Sequence, residues 1–318
     1  MKKVLVTAIG SMSADIVIKV LHKEGYYVIG TDIYPKEWVV DARNVDEFYN
    51  VPPAAEQNCY INRILEICRD RKVDYICPLT DDEIDVFNEN RQKFENLSIL
   101  CMSDYDVINI CRNKKKTADT LKGTGLCNVI WDYGIEDIEN HNICFPVVGK
   151  PVRGRSSQGF RIFTDEEEFY GFCRKVKAGE YLFQPYIEGN VITVDVVRDK
   201  RTGCCAAAAR RELLRTLNGA GLSVQVFREE ALEKVCEDLA ESLDITGCVN
   251  FEFLETEDGV RYLLECNPRF SGGVEFSVLS GYDFVRNHMR CFENKPIETK
   301  VCIREHWICR KYEEYITD

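Results

Sequence analysis

Two carboxylates and two carboxamides cluster near the end of one predicted β-hairpin. The segment CVNFEFLETEDGVRYLLECNPR, residues 248–269, reads as two strands joined at Asp258-Gly259, a pair that favours a two-residue turn. Such a turn fixes the register, because facing positions are counted outward from it. The predicted pairs are Asn250 with Asn267, Glu252 with Glu265, and Phe253 with Leu264. One face of the hairpin is then apolar, and the other ends in acids and amides.

The facing carboxylates indicate a bound cation. Like charges directly opposite each other destabilise a sheet, and Pro268 ends the strand just beyond Glu265, where a cleft can begin. Carboxylate and amide oxygens, without sulfur or imidazole, suit Mg²⁺ or Mn²⁺. The alternative is a chance grouping of surface residues on an exposed hairpin face.

A second candidate site is a basic, glycine-containing loop in the segment FPVVGKPVRGRSSQGFRIF. Lys150 ends an apolar strand, and Gly154 and Gly159 lie in the loop that follows it. Glycine loops let backbone N–H groups approach phosphate oxygens, and Arg153 and Arg155 add positive charge. The loop leads into a strand and lacks the GxxxxGK[ST] pattern, so it is not a P-loop. A merely solvated basic loop is the alternative interpretation.

Two more segments could contribute to a site. The small-residue strand CCAAAA delivers Arg210 and Arg211, which could bind a phosphate or carboxylate, although one of such a pair is often only solvated. Arg215 and a loop with Gly219 and Gly221 follow. The segment YLFQPYIEGN runs from one strand to the next, and a plain connection is its simplest interpretation.

The elements that must position these residues fall into two patterns. Over the first hundred residues, short apolar runs alternate with amphipathic segments, which predicts βαβ units and a parallel sheet. From about Phe145 the pattern changes to hairpins, interrupted by helices after Thr164 and from Glu229 to Leu243. We therefore expect an α/β domain over residues 1–103, a smaller unit over residues 104–190, and an α+β unit over residues 191–318.

Bulk composition narrows the function. The chain has 318 residues and a net charge of −12, and this negative charge disfavours binding to nucleic acid or anionic lipid. We therefore expect small molecules or proteins as partners. A homodimer is also possible. The sixteen cysteines are scattered singly through apolar runs, as expected of reduced thiols, and nothing supports a zinc site. The N-terminal apolar run is broken by Ser11, Ser13 and Asp15, so it predicts a strand and helix rather than a signal peptide. We expect a cytoplasmic protein.

The order of these segments resembles the ATP-grasp superfamily, especially the carboxylate-amine ligases similar to carbamoyl-phosphate synthase large chains, over roughly residues 1–295. The segments are an α/β domain, a helix with NKKKT, the lysine and glycine loop, QPYIEG, the arginine strand, and then NFEFLE and LLECNPR. The resemblance implies a Rossmann-like pre-ATP-grasp domain followed by the ATP-grasp units. Its strongest part is the final hairpin.

The resemblance also implies a role for individual residues. It makes Glu252, Glu265 and Asn267 the Mg²⁺ ligands. It implies that Lys114 and Lys150 contact nucleotide phosphates, beneath a loop that includes Arg153, Gly154, Ser156, Ser157 and Gly159. Gln184, Tyr186 and Ile187 match the hinge that recognises adenine. The implied catalytic residues are Arg269, which binds phosphate, and Arg210 and Arg211, which with residues 218–221 lie where the acyl phosphate or substrate carboxylate binds.

The reaction implied is amide or peptide bond formation from a carboxylate and an amine, through an acyl phosphate, with release of ADP and phosphate. The chain departs from the family where many relatives have a ribose-binding glutamate, since Asn190 and Val191 occupy that region, and Gln184 stands where glutamate is common. The chain is too short for both synthetase halves of a carbamoyl-phosphate synthase. A catalytically silent ATP-binding module stays open, as does a nicotinamide-dependent oxidoreductase, although the dinucleotide fingerprint retains only Gly10, with Asp32 after the second strand.

Overall fold

A five-stranded parallel sheet forms the N-terminal part of the protein. The computed structural model describes residues 1–135, 138, 143–154, 158–217 and 219–317. The first strands are β1 (Lys3–Val6), β2 (Tyr27–Asp32), β3 (Glu47–Asn50), β4 (Tyr75–Cys77) and β5 (Ile99–Leu100), in the order β3-β2-β1-β4-β5. All four pairings are parallel, which confirms the sheet expected from the βαβ pattern.

Helices cover both faces of this sheet, so its strands are apolar on both sides. The helices are α1 (Ala14–Lys23), α2 (Gln57–Arg71) and α3 (Asp81–Glu89). Val4 and Val6 of β1 pack in the cluster that contains α1, whereas Leu5 packs with α2 and α3. The alternation along the strand therefore joins two cores through one sheet.

Two short helices lead from the first sheet to the second. They are α4 (Tyr105–Cys111) and α5 (Lys114–Lys122), and β6 (Asn128–Val129) follows them. Asn113 caps α5 by accepting a hydrogen bond from the Lys116 N–H at 2.9 Å. This cap begins the helix at Lys114, so the first lysine of the NKKKT segment lies in its first turn.

A small antiparallel sheet has an aromatic core of its own. Its strands are β7 (Val147–Pro151), β8 (Arg161–Phe163) and β9 (Tyr181–Pro185), in the order β8-β7-β9, with α6 (Glu166–Cys173) between β8 and β9 in the chain. Phe163, Phe169 and Phe183 are fully buried against each other, with ring centroids 5.1–6.4 Å apart. Below we call this unit the small sheet.

The largest sheet has seven strands and carries the predicted acid pair. Its further strands are β10 (Asn190–Arg198), β11 (Cys205–Arg215), β12 (Gly221–Phe227), β13 (Gly247–Glu255), β14 (Arg261–Asn267) and β15 (His306–Cys309). The order is β15-β12-β11-β10-β13-β14-β6, antiparallel except for the β14–β6 pair. The remaining helices are α7 (Glu230–Ser242), α8 (Val274–Leu279) and α9 (Phe284–Phe292).

The large sheet shares one apolar core with the N-terminal sheet. Val197 and Ala206 of the large sheet pack in the same cluster as Val4 and Val6 of β1, together with residues of α8 and α9. On its other face the large sheet packs against α7. None of the helices in the described parts of the chain is long and apolar enough to cross a membrane.

The β13–β14 hairpin has the predicted pairs at its far end but a different path to them. Asn250 pairs with Asn267 and Glu252 with Glu265, as predicted, whereas Phe253 pairs with Leu263, so its predicted pairing with Leu264 is wrong. The turn is one residue longer than a two-residue turn, because Thr256 pairs with Val260 across it, and Gly259 has a φ of 82°. A β-bulge at Leu264 adds one residue to β14 and restores the register.

Candidate active site

A cavity of about 860 Å³ lies between the small sheet and the large sheet. Strands β7 and β9 line one side, and β11, β13 and β14 line the other. Met12, from the loop after β1, also reaches the cavity wall, so the N-terminal domain contributes to it. The volume is within the range of small-molecule sites.

The alternation of β13 and β14 brings the acids and amides into this cavity. Asn250 and Glu252 line it from β13, and Glu265 and Asn267 line it from β14. The Asn267 amide donates to Asn250 Oδ1 at 3.2 Å and to Glu265 Oε1 at 3.1 Å. The bulge turns Leu264 to the cavity as well, next to Glu265 on the same face. The hairpin thus presents oxygen atoms from both strands at one place.

These oxygens fit a magnesium ion. The Asn267 amide nitrogen is used in hydrogen bonds. Its carbonyl oxygen therefore remains available as a metal ligand, beside the carboxylates of Glu252 and Glu265. Carboxylate and amide oxygens are hard ligands of the kind that Mg²⁺ prefers. No group of three or more His, Cys, Asp and Glu side chains that could hold a metal occurs among the described residues, so the candidate set consists of two acids and one amide.

The two carboxylates differ in their electrostatics. Burial raises the pKa of Glu252 to about 7, the neighbouring charge of Glu265 adds to this, and Arg215, at 3.2 Å, opposes it. Burial also acts to raise the pKa of Glu265, but Lys114, the Asn267 amide and Lys150 outweigh it, so this pKa is lowered. Glu265 therefore holds its charge more readily than Glu252 does.

Lys114 and Lys150 face this acid pair from different elements. Lys114 Nζ lies 3.1 Å from Glu265 Oε2 and 3.5 Å from the Gly154 carbonyl oxygen. Lys150 has no side-chain hydrogen bond and no ion pair to any described residue. Burial lowers the pKa of Lys150 to about 8. The charge of Glu265 opposes this lowering, and the charge of Lys114 adds to it. A half-buried amine at the cavity wall, without a partner among the described residues, is expected to bind an anion in the cavity.

The alternation of β7 explains how Lys150 reaches the cavity. Val148 and Lys150 line it, while Val147 and Gly149 face the aromatic core of the small sheet. A Cβ atom at residue 149 would lie 2.9 Å from the Phe163 ring and 3.0 Å from the Phe183 ring. Glycine is therefore required next to Lys150 for the rings to pack against the strand.

The glycine loop after Lys150 is described only in part. Gly154 lines the cavity, Arg153 is exposed, and Gly159 has a φ of 74° and accepts a hydrogen bond from the Tyr181 hydroxyl at 3.1 Å. Arg155, Ser156 and Ser157 lie outside the described residues, so the phosphate contacts assigned to the two serines stay predictions.

The predicted hinge follows β9 at the cavity mouth. Gln184, Tyr186 and Ile187 all line the cavity. Gln184 is buried, and its amide donates to the Ile130 carbonyl oxygen at 3.2 Å. Glu188 lines the cavity two residues before Asn190, whereas Asn190 is not part of the lining. Glu188 is thus an acid at the hinge whose contribution the sequence analysis did not consider.

The structure brings only one of the two predicted adjacent arginines to the cavity. Arg210 is fully buried in the wall, where it bonds Asp195 at 2.5 Å and Glu212 at 3.0 Å, together with Ser271 and Ser277. Because neighbouring residues of a strand face opposite sides, Arg211 lies on the other face of the sheet.

There, Arg211 stacks on the Phe227 ring at 4.0 Å and bonds Glu255 at 3.3 Å. The proposed catalytic role of Arg211 therefore has no support in the geometry. Arg215 takes a position in the cavity wall instead, where it contacts Glu252 and donates to the Gly219 carbonyl oxygen at 2.7 Å. Asn218, assigned to the substrate loop, lies outside the described residues, while Gly219, Ala220 and Gly221 line the cavity.

Arg269 lines the cavity and is held by a residue of the N-terminal domain. Its Nε and Nη2 atoms donate to Asp81 at 2.9 and 2.7 Å, and Nη1 donates to the Phe270 carbonyl oxygen at 3.1 Å. Burial acts to raise the pKa of Asp81, but Arg269 and Arg112 outweigh it, so this pKa is lowered. Sequence reasoning did not identify Asp81, which is 188 residues from Arg269.

Two family models match the chain at its two ends. Residues 4–102 match the model described as "PylC-like, N-terminal domain", and residues 177–314 match "ATP-grasp in the biosynthetic pathway with Ter operon". The chain is an ATP-grasp protein. The resemblance to the ATP-grasp superfamily and the predicted fold class are thereby confirmed.

Curated relatives of this ATP-grasp protein are ligases and a synthase. The 3-methyl-D-ornithine–L-lysine ligase of Methanosarcina barkeri is 26% identical over 297 residues, which cover 89% of this chain and 74% of that protein. The carbamoyl phosphate synthase large chain of Agathobacter rectalis is 27% identical over 158 residues. These residues cover 46% of this chain but only 15% of that protein.

A solved structure shows the same fold. The biotin carboxylase domain of Hydrogenobacter thermophilus 2-oxoglutarate carboxylase, crystallised with MgADP, ADP and bicarbonate, aligns over 96% of this chain and 72% of that one, with a TM-score of 0.78 and 21% identity. The alignment extends over nearly the whole chain, so the two proteins share one fold.

Proposed function

We propose that this ATP-grasp protein is a carboxylate-amine ligase that forms an amide or peptide bond between small molecules through an acyl phosphate, with release of ADP and phosphate. The observation that supports this most is the meeting, in one cavity, of the acid pair Glu252 and Glu265 with Lys114 and Lys150. Phosphoryl transfer depends mainly on positioning and on charge stabilisation, and this arrangement provides both.

Different residues of the cavity bind the phosphates, the adenine and the metal ion in the first step. Lys114, Lys150 and Arg269 hold phosphate oxygens by their positive charge, and Gln184, Tyr186 and Ile187 hold the adenine. Glu252, Glu265 and Asn267 would hold Mg²⁺, which offsets phosphate charge when bound. A carboxylate oxygen of the substrate attacks the γ-phosphorus, the bond to the ADP oxygen breaks, and an acyl phosphate forms.

The second step joins the amine. Its neutral nitrogen attacks the acyl carbon, the carbon–oxygen bond to phosphate breaks, and a proton leaves the nitrogen. Arg210 and Arg215 are cations of the cavity wall, and Arg215 donates to the Gly219 carbonyl oxygen in the loop at residues 219–221. We propose that Arg215 stabilises the acyl phosphate, because Arg210 is fully enclosed by its own acids and serines.

The fold supports a division of labour along the chain. We propose that residues 1–103 form the pre-ATP-grasp domain, that residues 104–190 include the small sheet that covers the nucleotide, and that residues 191–318 carry the metal hairpin. Asp32 accepts hydrogen bonds from the N–H groups of Gly10 and Tyr34, so its carboxylate is engaged within the first domain. This engagement favours a structural role for the first loop over dinucleotide binding.

An ADP-release screen tests the proposed reaction. The protein is incubated with MgATP and pools of carboxylates and amines, and products are identified by mass spectrometry. With the active carboxylate labelled by ¹⁸O, one labelled oxygen should appear in the released phosphate, because the acyl oxygen is transferred to phosphorus. ADP release without label in phosphate would contradict the acyl phosphate.

A matched pair of variants controls the screen. Lys150→Met should abolish ADP release. Arg211→Met should retain most of the ADP release, because Arg211 lies on the face of the large sheet that points away from the cavity. Binding of MgATP without ADP release for any pool would favour the silent ATP-binding module.

A further inference from the structure

Asp81 occupies an unusual position for a residue of the N-terminal domain. It is the first residue of α3, its side chain is 2% exposed, and it lies between two guanidinium groups. Arg269 binds it through two parallel hydrogen bonds of 2.9 and 2.7 Å. Arg112 Nη1 lies 3.2 Å from the same carboxylate. A carboxylate held in this way has little freedom to move.

Arg112 is fixed from its other side. Its Nε and Nη2 atoms both donate to Asp85 at 2.9 Å, and Asp85 lies one helical turn after Asp81 on α3. Residues four positions apart share one face of a helix, so α3 presents both carboxylates together. Arg112 is 6% exposed and is not part of the cavity lining. It therefore braces Asp81 but cannot replace Arg269 in the cavity.

The contacts of Arg269 with the described residues leave two of its N–H groups available to a ligand. A guanidinium has five N–H groups. Three of these are used, two by Asp81 and one by the Phe270 carbonyl oxygen. The side chain is 18% exposed and lines the cavity. The remaining N–H groups, one on each terminal nitrogen, are directed by the way Asp81 holds the rest of the group.

We propose that Asp81 is a positioning residue that orients the Arg269 guanidinium toward the nucleotide phosphates, so that the N-terminal domain takes part in phosphate binding. The inference rests on the proposed function, in which Arg269 contacts phosphate. It adds that this contact depends on a residue outside the two ATP-grasp sheets. The pairing of arginine with a planar carboxylate sets the direction of the remaining donors, which a single point charge could not do.

The test measures nucleotide affinity in Asp81→Asn. The ligands are β,γ-methylene-ATP with Mg²⁺, and adenosine, which lacks phosphate. If Asp81 acts through Arg269, affinity for the triphosphate should fall about tenfold, while affinity for adenosine changes less than twofold. An equal loss for both ligands would mean general damage to the fold and would overturn the inference. Asp85→Asn, which removes the neighbouring acid of α3, should leave the triphosphate affinity within threefold of wild type.

A double-mutant cycle shows whether the effect passes through Arg269. In an Arg269→Gln background, Asp81→Asn should change triphosphate affinity less than twofold, because the group that it positions is gone. A tenfold loss in both backgrounds would overturn the inference. If Asp81→Asn does not fold, Asp81→Glu keeps the charge but moves it by one methylene. Weakened triphosphate binding in folded Asp81→Glu supports the inference, and unchanged binding contradicts it.

The outcome for the wild-type protein separates this inference from the proposed function. No binding of the magnesium triphosphate by wild type would contradict the nucleotide site itself. Normal binding by wild type, together with normal binding by Asp81→Asn, would leave the site in place and reject only the role of Asp81.

Discussion

At the scale of single residues, the acid pair is asymmetric, and its asymmetry has a visible cause. Two lysines and the Asn267 amide favour the charged form of Glu265. Burial and the charge of Glu265 disfavour the charged form of Glu252, and Arg215 and Arg269 oppose them only in part. A cation in the cavity would remove the repulsion between the two carboxylates. Without a bound cation, the repulsion between the two carboxylates mainly disfavours the charged form of Glu252.

This asymmetry predicts opposite effects of two similar substitutions in the nucleotide-free protein. At pH 8, Glu252→Gln should leave the free energy of unfolding unchanged or raise it by about 1–3 kcal/mol, because it removes a charge that the fold disfavours. Glu265→Gln should lower it by about 1–3 kcal/mol, because Lys114 loses its ion pair at 3.1 Å. Urea denaturation measures both.

The same two variants should behave alike once ligand is added. A ligand at about 100 times its dissociation constant stabilises a protein by about 2.7 kcal/mol. Both substitutions should remove most of this gain for β,γ-methylene-ATP with Mg²⁺, because each removes a proposed metal ligand. Full ligand stabilisation in either variant would show that the carboxylate in question does not hold the metal.

Lys150 predicts a pH dependence of nucleotide binding. With a pKa of about 8 in the free protein, the amine is about nine-tenths neutral at pH 9. Phosphate binding favours the charged amine, so the complex should take up close to one proton at this pH, and affinity should fall by up to about tenfold per pH unit above 8. Titration calorimetry in buffers of different ionisation enthalpy measures the uptake.

Two lysine variants identify the group that takes up the proton. Lys150→Met should bind MgATP much more weakly and show no uptake at pH 9. Lys114→Met should keep part of the uptake, because Lys150 is still present, although the loss of the Lys114 charge raises the pKa of Lys150 and so reduces the uptake at pH 9. Uptake that persists in Lys150→Met would assign the proton to another group.

At the scale of elements, the β13–β14 hairpin shows how two local departures can leave a site in register. The turn is one residue longer than Asp258-Gly259 suggests, and the bulge at Leu264 compensates by one residue. The bulge also places Leu264 and Glu265 on the same face, which strict alternation would forbid. The end of the hairpin that carries Glu252 and Glu265 is therefore fixed by the bulge and the flanking strands, not by the turn.

Gly259→Ala tests this separation of turn and site. Its φ of 82° is unfavourable for any residue with a Cβ, although no atom lies within 4 Å of the added methyl group. The substitution should cost about 1–2 kcal/mol of stability and leave affinity for the magnesium triphosphate within twofold of wild type. A parallel loss of affinity would mean that the turn sets the register at Glu252.

The elements also show what sequence could and could not predict. Alternation along a strand was enough to place Glu252 and Asn250 together, and the same rule indicates that Arg210 and Arg211 cannot both face one cavity. The bulge at Leu264 leaves no distinctive residue in the sequence. The role of Asp81 could not be predicted from the sequence, because its contact with Arg269 joins residues that only the tertiary fold brings together.

At the scale of the whole molecule, the three sheets are not equally coupled. The N-terminal and large sheets share an apolar core, which also includes α1, α8 and α9. The small sheet instead has its own aromatic cluster, formed around Phe169. Its links to the rest include a hydrogen bond from the Lys114 N–H to the Val152 carbonyl oxygen at 3.0 Å. Loss of the small-sheet core should therefore be a local event.

Phe169→Ala tests this prediction. Phe169 is fully buried, with ring centroids 5.1 Å from Phe183 and 5.4 Å from Phe163. Removing such a ring costs about 3–5 kcal/mol, so amide hydrogen exchange in β7 and β9 should accelerate by about a hundredfold or more, while exchange in β10 and β13 stays near the wild-type rate. MgATP affinity should fall as well, although Phe169 does not line the cavity, because Lys150 and the hinge belong to the small sheet.

Phe251→Ala is the matched control, since Phe251 is equally buried but lies in the core of the large sheet. It should accelerate exchange in β10 and β13 and lower the melting temperature of the whole protein. If Phe169→Ala instead accelerates exchange equally in all three sheets, the small sheet is not an independent unit. The nucleotide site would then be part of a single cooperative structure, and MgATP binding should slow exchange in β10 and β13 as strongly as in β7 and β9.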